Sequence, residues 1–270
     1  MNDEFQSWLL PATPPSFEEL LASVRFDDLA KGRRGAVLVN PDSSGVPIVR
    51  TTTSYRASAQ TFQSIHLRLA ESIRERGSLP QRFNNALVEH YTHAYSTMKR
   101  HSDQAQDLAD GSFIAVYSCY RDPERPSRQL LVQSKEHGDH FAAPLDHGRV
   151  VAFSLATNRR FTHAIRLRAL APDNDWLGIT FRTSKTLLCF VDGHPVLPSG
   201  AHLTLATEDQ RRELFQMRRR ENEESGFVYP SLSYTLSESD LLPPSTGTAV
   251  YPPGTGVASC WSEASNGNSG

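Results

Sequence analysis

A chain of 270 residues can bury a substantial core as one large domain or two small ones, and a net charge of -2 gives it no global basic field of the kind that draws nucleic acid. Hydrophobic residues make up 38% and mean hydropathy is -0.45, as expected of an ordered body joined to a polar tail. Cys119, Cys189 and Cys260 are odd in number and widely spaced, which excludes a disulfide framework and any zinc spacing. The acidic N-terminus, MNDEFQSWLLPATPP, has too short an apolar run for a signal peptide, and no stretch approaches the ~20 apolar residues of a membrane span. The expectation is a soluble protein of a reducing compartment, cytoplasmic, or nuclear in a eukaryote.

Pro14-Pro15 and then Ser16-Phe17-Glu18-Glu19 form a capping box that predicts a helix through LLASVRFDDLAK, ended by Gly32. GAVLVNP (35–41) and PIVRTTTSY (47–55), joined by DSSG, predict strand, turn and strand. Ser58 opens a second helix in which Phe62, Ile65, Leu69 and Ile73 recur at helical spacing, a core-packing stripe, until Gly77 and Pro80 stop it. From residue 82 the texture turns to short strands: FNNALVEHYT, SFIAVYSCY (112–120), RQLLVQS (128–134), RVVAFSLA (149–156), THAIRLRAL (162–170), WLGITFRTS (176–184) and TLLCFVD (186–192). Thr207-x-x-Gln210 opens another helix, EDQRRELFQMRRREN, whose arginine run is expected on a solvated face, with contact to phosphate as the lesser alternative. From about 241 Pro, Ser and Gly dominate, and 241–270 is expected to be a flexible tail. Many short strands behind two helices predict a mainly β, α+β architecture: a sandwich or jelly-roll with helices packed on one sheet.

The chemistry centres on Arg100-His101-Ser102-Asp103. In an extended segment residues i and i+2 share a face, so His101 and Asp103 present an imidazole and a carboxylate side by side. These are two of the three ligands of a facial triad that holds non-haem Fe(II) and leaves its remaining positions open. His137 and His140 lie in the turn KEHGDHF, and His147 lies in PLDHG before a strand, where solvated histidines are ordinary. His163 sits in the apolar strand context FTHAIRL, where, taken alone, a satisfied core histidine is the better account. In the following strand Arg182 stands among apolar residues with Ser184 two positions on. A buried arginine needs a partner, and its fork fits a carboxylate, here the distal carboxylate of a dicarboxylic cosubstrate.

Together FNNALVEHYTHAYSTMKRHSD, FTHAIRL and ITFRTS resemble the AlkB-like branch of the Fe(II)- and 2-oxoglutarate-dependent dioxygenases, over roughly residues 47–190. The resemblance implies a double-stranded β-helix (jelly-roll) domain over 35–240, after a helical N-terminal extension, 1–34. It implies His101, Asp103 and His163 as iron ligands, Tyr91 as a hydrogen-bond donor to 2-oxoglutarate, and Arg182 with Ser184 at the cosubstrate carboxylate. Two positions depart from the pattern. Glu89 stands where the branch has asparagine and is expected to face elsewhere, since a carboxylate beside 2-oxoglutarate repels it. Trp176 stands where the branch has a second arginine, leaving the distal carboxylate to Arg182, alone or helped by Arg166 or Arg168.

The implied reaction consumes 2-oxoglutarate and O2, releases succinate and CO2, and hydroxylates a C–H bond of the substrate. On an N-methyl group this is demethylation. The branch points to an alkylated nucleobase extruded from its stack, with Tyr55 and Arg56 in the lid position. The scattered positive charge leaves hydroxylation of a free small molecule as the close alternative. A β-sandwich binding module without iron stands as the reading from a different class. No membrane and no obligatory protein partner are expected.

Overall fold

The computed structural model describes residues 4–10, 14–169 and 171–245. Its first elements are β1 (Phe5–Leu9), α1 (Phe17–Ala22), β2 (Asp27–Ala30), β3 (Arg33–Val39), β4 (Val46–Pro47), β5 (Gln60–Thr61) and α2 (Ser64–Arg76). The central run is β6 (Asn85–Tyr91), β7 (Phe113–Tyr120), β8 (Arg128–Ser134), β9 (His140–Pro144), β10 (Arg149–Ser154), α3 (Leu155–Arg160), β11 (Phe161–Leu167) and β12 (Trp176–Arg182). There follow β13 (Leu187–Val191), β14 (His194–Val196), β15 (Thr204–Leu205), α4 (Glu208–Glu223), β16 (Tyr234–Thr235) and a 3-10 turn at Glu238–Leu241. The chain is mostly β, with antiparallel sheets and a few helices.

A large sheet runs in the order β1-β10-β7-β12-β6-β3-β2, with β5 added in parallel on β3. A smaller antiparallel sheet, β11-β8-β9, faces it. Alternation along the strands decides what each face does. On β12, Leu177, Ile179 and Phe181 point outward and pack with Phe17 and Leu20 of α1 and Leu69, Ala70 and Ile73 of α2. The inward positions of the large sheet, among them Trp176, Tyr91, Val116 and Phe153, pack with Leu130, Val132 and Ile165 of the small sheet. Two β layers with helices on one outer face match the expected layering, and the space between the layers holds the site.

The N-terminal region differs from the expected helical extension. Residues 5–9 form an edge strand of the large sheet, because Phe5 finds an aromatic pocket made by Phe141, Phe153 and Phe161. The capping box at Ser16 and Glu19 forms, but α1 ends with Ser23 as its C-cap, and residues 27–30 pair with β3 instead. The expected hairpin over 35–55 also divides. β3 pairs with β6, whereas β4 pairs with β13, and the chain beyond β4 is held outside any strand as Asp107 receives the backbone N–H and guanidinium of Arg50. Residues 58–63 are not the start of α2, since Gln60 and Thr61 are drawn onto β3. Within the expected tail, 241–245 remain in contact with the body: Ser245 accepts from Thr61 N–H and donates to Ala59 O. Residues 246–270 lie outside the described ones. Among the described residues no helix is long and apolar enough to cross a membrane.

Candidate metal centre

Backbone pairing brings the two histidines together. The segment 96–101 runs antiparallel along β11, with bridges at Thr97–Arg166 and His101–His163. His101 and His163 exchange both backbone hydrogen bonds, at 2.9 and 2.7 Å, so their side chains leave the same face and their rings lie 4.6 Å apart. Asp103 then projects between them, its Oδ1 at 3.7 Å from His101 Nε2 and 3.6 Å from His163 Nε2. One donor atom from each of the three residues lies within 4.8 Å of the others. The three sit at the floor of a cleft of about 450 Å³ between the sheets, walled in part by Leu87, Val116, Thr180 and Ile165.

Their protonation suits ligation. Burial pushes His101 down to about 3, helped by His163 and Arg218, and burial likewise lowers His163. Both rings are therefore neutral at pH 7. Burial alone would raise the Asp103 carboxyl, but Arg182 and then the two imidazoles hold it well below the usual carboxylate range. His101 Nδ1 lies 2.8 Å from Lys99 O, so that nitrogen carries the proton and Nε2 presents its lone pair to Asp103. Arg182 places Nε at 2.7 Å and Nη2 at 2.6 Å from Asp103 Oδ2, leaving Oδ1 for the histidine side.

The side chains expected at the cosubstrate have protein partners of their own, and Arg182 also lines the cleft. Arg182 is committed to Asp103, because the buried carboxylate is the strongest acceptor in its reach. Ser184 faces away and donates to Ile48 O. Tyr91 is fully buried and donates to Glu89 Oε2 at 2.8 Å. Glu89 does face the cleft, where Arg33 pairs with it at 2.6 Å. Of the two proposed helpers, Arg168 pairs with Asp146 and Arg166 is exposed. Tyr55 is buried rather than poised as a lid, and Thr51, Thr52 and Thr53 from the same segment line the cleft.

The helix opened by Thr207 forms as α4, but its part in the site was not expected from the sequence. Its arginine run is not wholly a solvated face: Arg218 lines the cleft and donates to Ser102 O and to Glu221. Asn222 Oδ1 accepts from Ser102 N–H at 2.9 Å, and buried Glu221 accepts from Ala105 N–H at 2.8 Å. From the other side Asn158 exchanges two 2.8 Å hydrogen bonds with the Asp103 backbone. The loop carrying two of the three donors is therefore clamped between α3 and α4. The only sequence signal was the Glu221-Asn222 pair one turn beyond the apolar positions Leu214 and Met217.

No protein-family model and no curated protein matches the chain. Among solved structures, that of OsALKBH1 is similar at 13% identity with a TM-score of 0.46, covering 68% of this chain and 99% of that one. A likeness of that degree assigns no chemistry.

Proposed function

We propose that the chain is an Fe(II)- and 2-oxoglutarate-dependent dioxygenase with an AlkB-like jelly-roll core, in which His101, Asp103 and His163 hold the iron. The observation that carries this reading is the convergence of two neutral imidazole nitrogens and one carboxylate oxygen within 4.8 Å at the floor of an open cleft. Two histidines and one carboxylate are the donor set of non-haem Fe(II) oxygenases. The donor set fits because two of the three ligands are already oriented by a neighbour: His101 by Lys99 O, Asp103 by Arg182. When bound, the iron and the 2-oxo acid supply the oxidising chemistry, giving succinate, CO2 and a hydroxylated C–H bond.

The protein's own part is positioning and dryness. Arg182 occupies Asp103 Oδ2, so the carboxylate offers a single oxygen to the ion. Leu87, Val116 and Ile165 make part of the cleft wall apolar, and Arg33 neutralises Glu89, removing the repulsion that a free carboxylate would exert on an anionic cosubstrate. Tyr91 acts through Glu89, which its hydroxyl holds in place. The substrate side carries Lys99 and Arg100 with Arg166 beside them, all exposed and without an ion-pair partner among the described residues. That cationic edge favours an alkylated nucleobase in a nucleic-acid strand over a neutral metabolite, with oxidative demethylation as the outcome.

Succinate formation from 2-oxoglutarate with Fe(II) and ascorbate tests the reading. Turnover by the wild-type protein and none by Asp103→Ala is the expected result. Equal silence from both, with neither binding metal, would favour an iron-free binding module instead.

A further inference from the structure

Behind the cleft lies a set of buried donors with nothing to donate to. Arg128, on the inward face of β8, is fully buried, yet its Nε and Nη1 have no hydrogen-bond partner, and only Nη2 is used, on Thr92 O at 2.9 Å. No carboxylate pairs with it among the described residues. Its guanidinium instead lies 5.0 Å from the Tyr91 ring and 5.8 Å from the Trp176 ring. Trp176 Nε1 and Ser118 Oγ, both buried, also lack partners.

Strand register places these groups in one spot. Trp176 stands opposite Tyr91 and Tyr120, and Gly178 stands opposite Glu89 and Ser118. The Trp176 indole folds back over Gly178, where an added Cβ would meet its Cη2 at 2.0 Å. Only glycine permits that placement. The indole thus stands between Arg128 and the end of the cleft marked by Glu89, Val116 and Thr180. A buried guanidinium without an anion is costly, and buried polar groups without partners are rare enough to need an explanation. Unpaired guanidinium and indole N–H groups with no carboxylate beside them specify an anion, and the planar fork of arginine specifies a carboxylate.

We propose that Arg128, with Ser118 Oγ and the Trp176 indole N–H, is the socket for the far carboxylate of the 2-oxo acid cosubstrate, with the Trp176 ring as the partition that turns to admit it. The proposal rests on the oxygenase reading and gives the anchoring role to β8, since Arg182 is spent on Asp103.

The test compares anaerobic binding of 2-oxoglutarate and of 2-oxobutyrate, which lacks the far carboxylate, to the Fe(II)-loaded protein. Calorimetry and the charge-transfer absorbance of the chelated iron are the readouts. Wild type is expected to bind 2-oxoglutarate the more tightly. Arg128→Met should weaken 2-oxoglutarate about 30-fold or more, the loss expected when one partner of a buried charge pair is removed, while Fe(II) and 2-oxobutyrate binding stay unchanged. Ser118→Ala, a smaller change at a buried site, should show a lesser loss of the same selectivity. Unchanged 2-oxoglutarate affinity in both variants, with metal binding intact, would overturn the socket and leave Arg128 as a core residue stacked on two rings. Failure of the wild type to bind Fe(II) at all would overturn the oxygenase reading and the socket with it.

Discussion

Asp103 shows how one residue can be tuned from three sides. Its Oδ2 is held by Arg182, its Oδ1 is approached by two imidazoles, and its backbone is pinned by Asn158. Removing Arg182 leaves a carboxylate 5% exposed without its guanidinium. Breaking a buried pair in this way costs about 3–5 kcal/mol. Arg182→Met is therefore expected to lower the melting temperature of the metal-free protein, and Mn(II) should restore more of it in the variant than it adds to wild type, because the cation replaces the missing charge. Differential scanning fluorimetry with and without Mn(II) measures both. An equal metal-induced shift in the two proteins would show that Asp103 and the metal are uncoupled. His101 and Asp103 were legible in the sequence because they lie two residues apart. His163 was not selected by its strand context, and its partnership depends on a single cross-strand bridge that no spacing rule specifies.

At the scale of elements, α4 behaves as a clamp. Glu221 accepts from Ala105 N–H and from Tyr229 Oη, each at 2.8 Å, and pairs with Arg218. Glu221→Ala leaves a buried N–H and a cation unpaired, and is expected to reduce Mn(II) affinity roughly 10- to 100-fold, as loss of a group supporting metal ligands does. Thr207→Ala, which removes the N-cap of the same helix, should cost about 1 kcal/mol of stability and leave the affinity alone. If both variants lose affinity alike, helix stability rather than the clamp sets the site. The arginine run hid this role because composition reports charge but not which side of a helix meets a loop.

Helix α2 carries a pH-sensitive lock. His66 Nδ1 accepts from Gln63 N–H at 3.0 Å and Nε2 lies 2.9 Å from Ser23 Oγ, joining α2 to the end of α1. Burial lowers its pKa from 6.5 to about 4. The unfolded chain therefore takes up the proton first. Above pH 6.5 His66 has no effect, and between 6.5 and about 4 it destabilises the fold progressively, by up to about 3 kcal/mol. Asp240, raised by burial from 3.8 to about 6, acts in the opposite sense across an overlapping range. Urea unfolding of wild type and His66→Gln from pH 7 to 4 isolates the histidine. The wild type should lose stability relative to the variant as pH falls, and parallel curves would contradict the assignment.

For the whole molecule, alternation and turn residues made β6 to β8 and β10 to β13 legible, since strand period and sheet face are local properties. β9, which holds His140, was not, because its exposed residues carry no apolar run and read as a turn. Nor were the N-terminal strand and the divided hairpin, because Phe5 and Arg50 answer to partners far along the chain, Phe153 and Asp107. The same division separates chemistry from substrate. The donors are placed by the fold, whereas the cationic edge of Lys99, Arg100 and Arg166 is a surface property that net charge conceals. A methylated single strand is expected to bind with steep salt dependence, and Arg100→Ala and Arg166→Ala should each flatten the slope by about 0.7. Salt-independent binding would favour a small metabolite.

Whether His101, Asp103 and His163 hold a metal is tested by Mn(II) titration of the purified protein under anaerobic conditions, read by calorimetry and by loss of the free-ion paramagnetic resonance signal. One ion per chain is expected for wild type, with loss of that site in His101→Ala, Asp103→Ala and His163→Ala and its retention in His147→Ala. Saturable binding that survives all three ligand substitutions, or no binding by the folded wild-type protein, would contradict that ligand set.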